Sequence, residues 1–258
     1  MIIEIDTRLD YKVAPDSPAL LQIEAASLPD QRILETTTDA RHASVFVRIP
    51  AEDGVGERSW IVAGDRLRCD YRARVEIDRP EVELRALAPT PPRDLPGEVV
   101  KYTLGSRFIV PELFEPFVST RFEGLRGGAF AAAARDWIER ELAYVPGASD
   151  GTTTAADTFL KRQGICRDYA HLMIAFARAG GIPARMVSVY APSVEPPDFH
   201  AVCELYLAGA WHLVDPTGMA GAGEMVRIGV GRDAADIAFL TVKGESELVK
   251  QSVSVRRG

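Results

Sequence analysis

The run from Cys166 to Ala179 constrains the fold most, because Tyr169, Ala170, Leu172, Met173, Ile174, Ala175, Phe176 and Ala177 make its middle apolar nearly all round. A helix of that kind has to be covered on every side, so other elements must be built around it. It is well short of the roughly 18 residues that a membrane span requires. Gly180 and Gly181, with Pro183 beyond, end the run, and Gly164 breaks the element before it. The sequence therefore predicts a central buried helix with Cys166 in its first turn.

That position matters chemically. First-turn N–H groups lack intrahelical partners and create a partial positive field, which favours thiolate over thiol and offers donors to an oxyanion. A single cysteine in an apolar helix is still more often a small hydrophobe than a nucleophile. A nucleophile needs a base, and the base needs something to position it.

A hairpin supplies both. Two β-runs, His200 to Leu207 and Ala210 to Asp215, flank Ala208-Gly209, the composition of a two-residue turn. With Leu207 opposite Ala210, Asp215 falls opposite Val202. His200 is then its diagonal neighbour on the same face, roughly 7 to 8 Å away between backbones. Asp215 can hold one imidazole nitrogen while the other faces the thiol. A slip of one residue would put the two side chains on opposite faces. The same register turns His212 and Cys203 away from His200. His171 lies about 140° around the helix from Cys166, His42 belongs to the N-terminal part, and Asp168 is expected to cap or pair locally. Asp198 remains an alternative orienting acid.

The chain before this unit is of another kind. Leu67 to Ile77 alternates apolar and polar, Val45 to Ile49 is a second β-rich run, and turn-prone Asp53-Gly54-Val55-Gly56 and Ala63-Gly64-Asp65 punctuate them. Residues 1–88 are read as an antiparallel β-sandwich, with Cys69 an inert core thiol. The proline-dense residues 89–97 are read as a linker, and 98–258 as the catalytic domain, with helices near 129–142 and 154–162 and a strand at 185–190. The fold class is α+β.

Thirty Lys and Arg against thirty-seven Asp and Glu, a net charge of -7, leave no basic field for a phosphate backbone, so nucleic acid is excluded as a partner. Three cysteines, without a CxxC pair, fit neither a disulfide framework nor a zinc knuckle and suit a reducing compartment. The opening Met1 to Asp6 has acids where a leader would have an apolar core. A soluble, cytoplasmic protein with no membrane partner, metal or cofactor is expected.

Gly164 to Leu172, Gly181 to Arg185, Pro197 to Ala201 and Trp211 to Thr217 occur in the order of the cysteine, following-strand, histidine and aspartate motifs of the transglutaminase-like superfamily. The chain resembles the bacterial transglutaminase-like cysteine peptidases that carry an N-terminal β-domain. Ser106-Arg107-Phe108 and Gly231 to Asp236 are similar to further segments of those proteins. The resemblance implies a papain-like α+β core and a Cys166–His200–Asp215 catalytic triad acting through an acyl-thioester on a peptide or small amide substrate. Hydrolysis is favoured; transamidation, acyl transfer from a thioester donor, a redox thiol, or a catalytically silent binding module on the same fold are the alternatives. Calcium-dependent relatives exist, but no DxDxDG loop is present. Tyr190, the loop Ala191 to Phe199 with Asp198 and Phe199, and Arg107 are expected to line the substrate cleft. Arg107 or Arg232 would receive a substrate carboxylate, or serve in a structural ion pair.

Overall fold

The computed structural model describes residues 1–258. The N-terminal part forms β1 (Ile2–Val13), β2 (Pro18–Leu21), β3 (Gln31–Asp39), β4 (Ala43–Pro50), β5 (Glu57–Ala63) and β6 (Arg66–Ile77). Helices α1 (Gly97–Val100), α2 (Glu115–Arg121) and α3 (Gly127–Glu141) follow, then β7 (Ala143–Tyr144), α4 (Ala155–Lys161), β8 (Gln163–Gly164) and α5 (Cys166–Ala179). The chain closes with β9 (Ala184–Tyr190), β10 (His200–Leu207), β11 (Ala210–Val214), β12 (Val226–Gly231), β13 (Leu240–Val242) and β14 (Ser246–Arg257).

Helix α5 is the centre of the molecule, as its pattern requires. Every residue from Asp168 to Arg178 is buried. Phe176 is fully enclosed by Phe114, Phe117, Phe122, Trp137 and Phe159, with ring centroids between 5.4 and 6.2 Å away. Burying one such ring contributes about 2–3 kcal/mol. Helices α2, α3 and α4 cover one side of α5, and Ala184, Met186, Cys203, Leu205 and Val214 of a four-stranded antiparallel sheet, in the order β11-β10-β9-β12, cover the other. Strand β9 is buried along its whole length, consistent with a central strand covered on both faces.

Two further four-stranded sheets, ordered β14-β1-β6-β3 and β13-β2-β5-β4, make the sandwich. Its interior is set by alternation: Leu67, Cys69, Tyr71, Ala73, Val75 and Ile77 of β6 all point inward.

The division into 1–88 and 98–258 is crossed by the strands themselves. Strand β14 pairs antiparallel with β1 from Arg257 opposite Ile3 to Ser246 opposite Val13, and β13 pairs with β2. The C-terminal residues thus complete the N-terminal sandwich, because β1 and β2 would otherwise be unpaired edges. Residues 89–97 are also not a free tether. Pro89 bridges Leu207, the Ala208 N–H donates to the Ala88 carbonyl, and the Gly209 N–H donates to Thr90 Oγ1.

Candidate active site

The hairpin has the register expected from its turn: Leu207 opposite Ala210 and Cys203 opposite Val214. Ala208 (φ 50°) and Gly209 (φ 79°) both occupy the left-handed region that a two-residue hairpin turn requires. His200 at the start of β10 and Asp215 just after β11 are brought together, with His200 Nε2 2.8 Å from Asp215 Oδ2 and both side chains about 1% exposed.

Asp215 is anchored at both oxygens. Oδ1 accepts from the N–H and hydroxyl of Thr217 at 2.9 and 2.7 Å, and Oδ2 accepts from the Ala220 N–H at 3.0 Å. Burial opposes its charge, but His200 and Thr217 hold its pKa below the ordinary value. Burial also works against protonation of His200, yet Asp215 and Cys166 raise its pKa to about 10. With Nε2 committed to Asp215, Nδ1 has no other fixed partner and is the nitrogen available to the thiol.

Cys166 is the first residue of α5 and half-buried. The helix start is fixed by Asp168, whose Oδ2 accepts from the Ile165 N–H at 2.9 Å and from the Ser149 hydroxyl. Asp168 leaves no room for a side chain at 164: a Cβ there would lie 2.6 Å from its Cβ, which explains Gly164. Arg167 donates to Asp168 Oδ1 at 3.0 Å and to Ser149 Oγ at 3.0 Å.

One residue absent from the sequence-based expectation sits against the thiol. Tyr144 in β7 lies beside Gly164 in β8 and lines the same cavity as Cys166. Burial and the neighbouring thiol push its pKa up to about 12. Tyr144 lies outside any periodic segment, so only its place before the Pro146-Gly147 turn hinted at it.

Cys166 and His200 open onto a cavity of about 540 Å³ whose walls also include Tyr144, Asp198 and Phe199. Tyr190 and Arg107 are not on that wall. Tyr190 is fully buried under the sandwich, its hydroxyl donating to the Ile23 carbonyl at 2.8 Å, because the end of β9 docks against the N-terminal sheets. Arg107 is exposed and lies over the Phe108 ring. Arg232 pairs with Asp236 at 3.0 Å. Asp198 accepts from the Phe199 N–H and from Gln251 Nε2, both at 2.8 Å, and does not hold the imidazole.

Cys69 and Cys203 are buried, and burial raises both thiols, Cys69 to about 12. His171 is buried beside Phe108 and accepts from the Ala234 N–H at 3.2 Å. No group of three or more His, Cys, Asp or Glu side chains is arranged to hold a metal, and no helix is long and apolar enough to cross a membrane.

Residues 123–216, which include Cys166, His200 and Asp215, match the sequence model of the transglutaminase-like superfamily. A crystal structure of a candidate cysteine protease from Cytophaga hutchinsonii superposes with a TM-score of 0.92 at 27% identity, over 99% of this chain and 90% of that one. An uncharacterized protein of Mycobacterium leprae (strain TN) is 35% identical over 122 residues, 43% of either chain. An uncharacterized protein of Mycobacterium tuberculosis (strain ATCC 25618 / H37Rv) is 28% identical over 137 residues, 46% of this chain and 44% of the relative. The chain thus spans less than half the length of these curated relatives.

Proposed function

We propose that this chain, a transglutaminase-like superfamily member with its family core at residues 123–216, is a cysteine-dependent amide hydrolase or peptidase that uses Cys166, His200 and Asp215. The observation that carries the reading is the buried 2.8 Å contact between His200 and Asp215 beside a cavity that also reaches Cys166 at a helix start. The likeness to the Cytophaga candidate cysteine protease supports the same reading.

In this mechanism the thiol proton already rests on His200 as the imidazolium, and the Cys166 sulfur attacks the carbonyl carbon of an amide, forming a C–S bond. The Cys166 N–H, in the first turn of α5, would donate to the resulting oxyanion, with the Tyr144 hydroxyl on the cavity wall as a second donor. His200 returns its proton to the amide nitrogen, the C–N bond breaks, and ammonia or an amine leaves an acyl-thioester. Water, deprotonated by His200, then attacks the thioester to release a carboxylic acid and restore the thiol. Asp215 stabilises the imidazolium in both halves. An amine in place of water would give transamidation. Three unpaired thiols favour a reducing, cytoplasmic setting.

The test is release of ammonia or amine from a panel of amides and short peptides, by the wild type and Cys166→Ala, with and without an added primary amine. The proposal expects release by the wild type and loss of about 10³-fold or more in the variant. Release that survives in the variant rules out covalent catalysis by Cys166, and product diverted quantitatively to the added amine makes the enzyme a transamidase.

A further inference from the structure

We infer that the acyl side of the substrate is a bulky, uncharged apolar side chain, received on a wall that the sandwich lends to the cavity. The inference rests on the amide-cleaving reading above. Beyond Cys166 and His200, the cavity is bounded by Met186, Phe199, Ile237, Phe239 and Leu240. Phe199 and Phe239 stack face to face, centroids 4.5 Å apart and planes 8° apart, and both pack on the sandwich core while remaining half-exposed to the cavity. This is a preformed apolar platform next to the nucleophile.

The arginine on the cavity wall is already paired, whereas the exposed Asp198 meets only neutral donors. Arg167 is held by Asp168 and Ser149, and Asp198 accepts from Phe199 and Gln251. An anionic acyl side chain would lose its water and meet no free cation, and a cationic one would have to leave the apolar platform for the exposed Asp198. Ser188 also lines the cavity, and its buried hydroxyl has no partner, so the site offers hydrogen bonding without charge.

The wall is held in place from below. The Ala234 N–H donates to His171 on α5, the Phe108 N–H donates to Asp233 Oδ2 at 3.2 Å, and Arg178 donates to the Arg232 carbonyl at 2.7 Å. Two segments remote in sequence, around Phe108 and around Asp233, are thereby joined under the residues that form the platform.

The test measures binding of tripeptide amides, differing only in the residue whose carbonyl faces Cys166 (Phe, Leu, Gly, Asp or Lys), to Cys166→Ala protein by calorimetry, alongside turnover by the wild type. Phe and Leu should bind about tenfold or more tighter than Gly, Asp or Lys. Phe239→Ala in the same background should erase most of that margin and Phe239→Leu should keep it. Equal affinity across the series, or preference for Asp or Lys, overturns the inference whether or not the Phe239 variants fold. Discrimination without turnover by the wild type would refute the amide-cleaving reading and leave the apolar site standing.

Discussion

At the scale of single residues, the site depends on how two buried groups share a proton. The charged form of His200 persists up to about pH 10 because Asp215 and Cys166 outweigh the penalty of burial. Its share of stability is fully present below the ordinary imidazole value and is lost as pH rises through about 10. Turnover that needs this imidazolium as an acid should fall along the same alkaline limb. Asp215→Asn removes the carboxylate, so the limb of the pH–rate profile should move to lower pH and the plateau should drop by about 10²–10⁴-fold. An unchanged limb would mean that Asp215 does not govern the imidazole. The pairing of His200 with Asp215 was legible because a two-residue turn fixes register and side-chain period fixes face. Tyr144 was not legible, since its nearness to Cys166 comes from a two-residue parallel bridge with no pattern of its own.

Among the elements, α5 does most to join chemistry to fold: its first residue is the candidate nucleophile and its body is the core. Its apolar surface and its glycine boundaries made it readable from sequence. What could not be read was the use of His171, which a helical period turns away from Cys166 and which the fold assigns to the Ala234 N–H. Burial lowers His171 from 6.5 to about 4, so it folds neutral. A depressed imidazole contributes stability above its unfolded value and loses it as pH falls from about 6.5 toward 4, a change of about 3 kcal/mol. Urea unfolding at pH 7, 5.5 and 4 should show that decrement in the wild type and its absence in His171→Gln, whose amide oxygen can still accept from Ala234. Parallel pH dependence in the two proteins would argue against a buried neutral His171.

For the molecule as a whole, the two halves share strands, core and charge. Tyr190, Val226 and Ile228 belong to the sandwich core, and β13 and β14 return to its sheets. The alternation of Val253 and Val255 marks β14 as a half-buried strand, but no local signal names β1 as its partner across the whole chain. Glu204, fully buried, accepts from Arg185 at 2.7 Å and from Arg227 at 2.9 Å, while Arg185 also meets Asp53 at 3.1 Å and Arg227 meets Asp30. Glu204→Ala would leave the buried Arg185 and the largely buried Arg227 with one carboxylate each and should cost about 3 kcal/mol. Because the network crosses between the halves, the loss should appear as a shift of one unfolding transition; a separate early transition for either half would show that they fold independently. The most direct measurement of the central claim is the rate of alkylation of each cysteine by iodoacetamide near neutral pH, followed by peptide mass analysis. An activated Cys166 should react far faster than the buried Cys69 and Cys203, and His200→Ala should slow it; equal sluggishness of all three thiols would contradict the account.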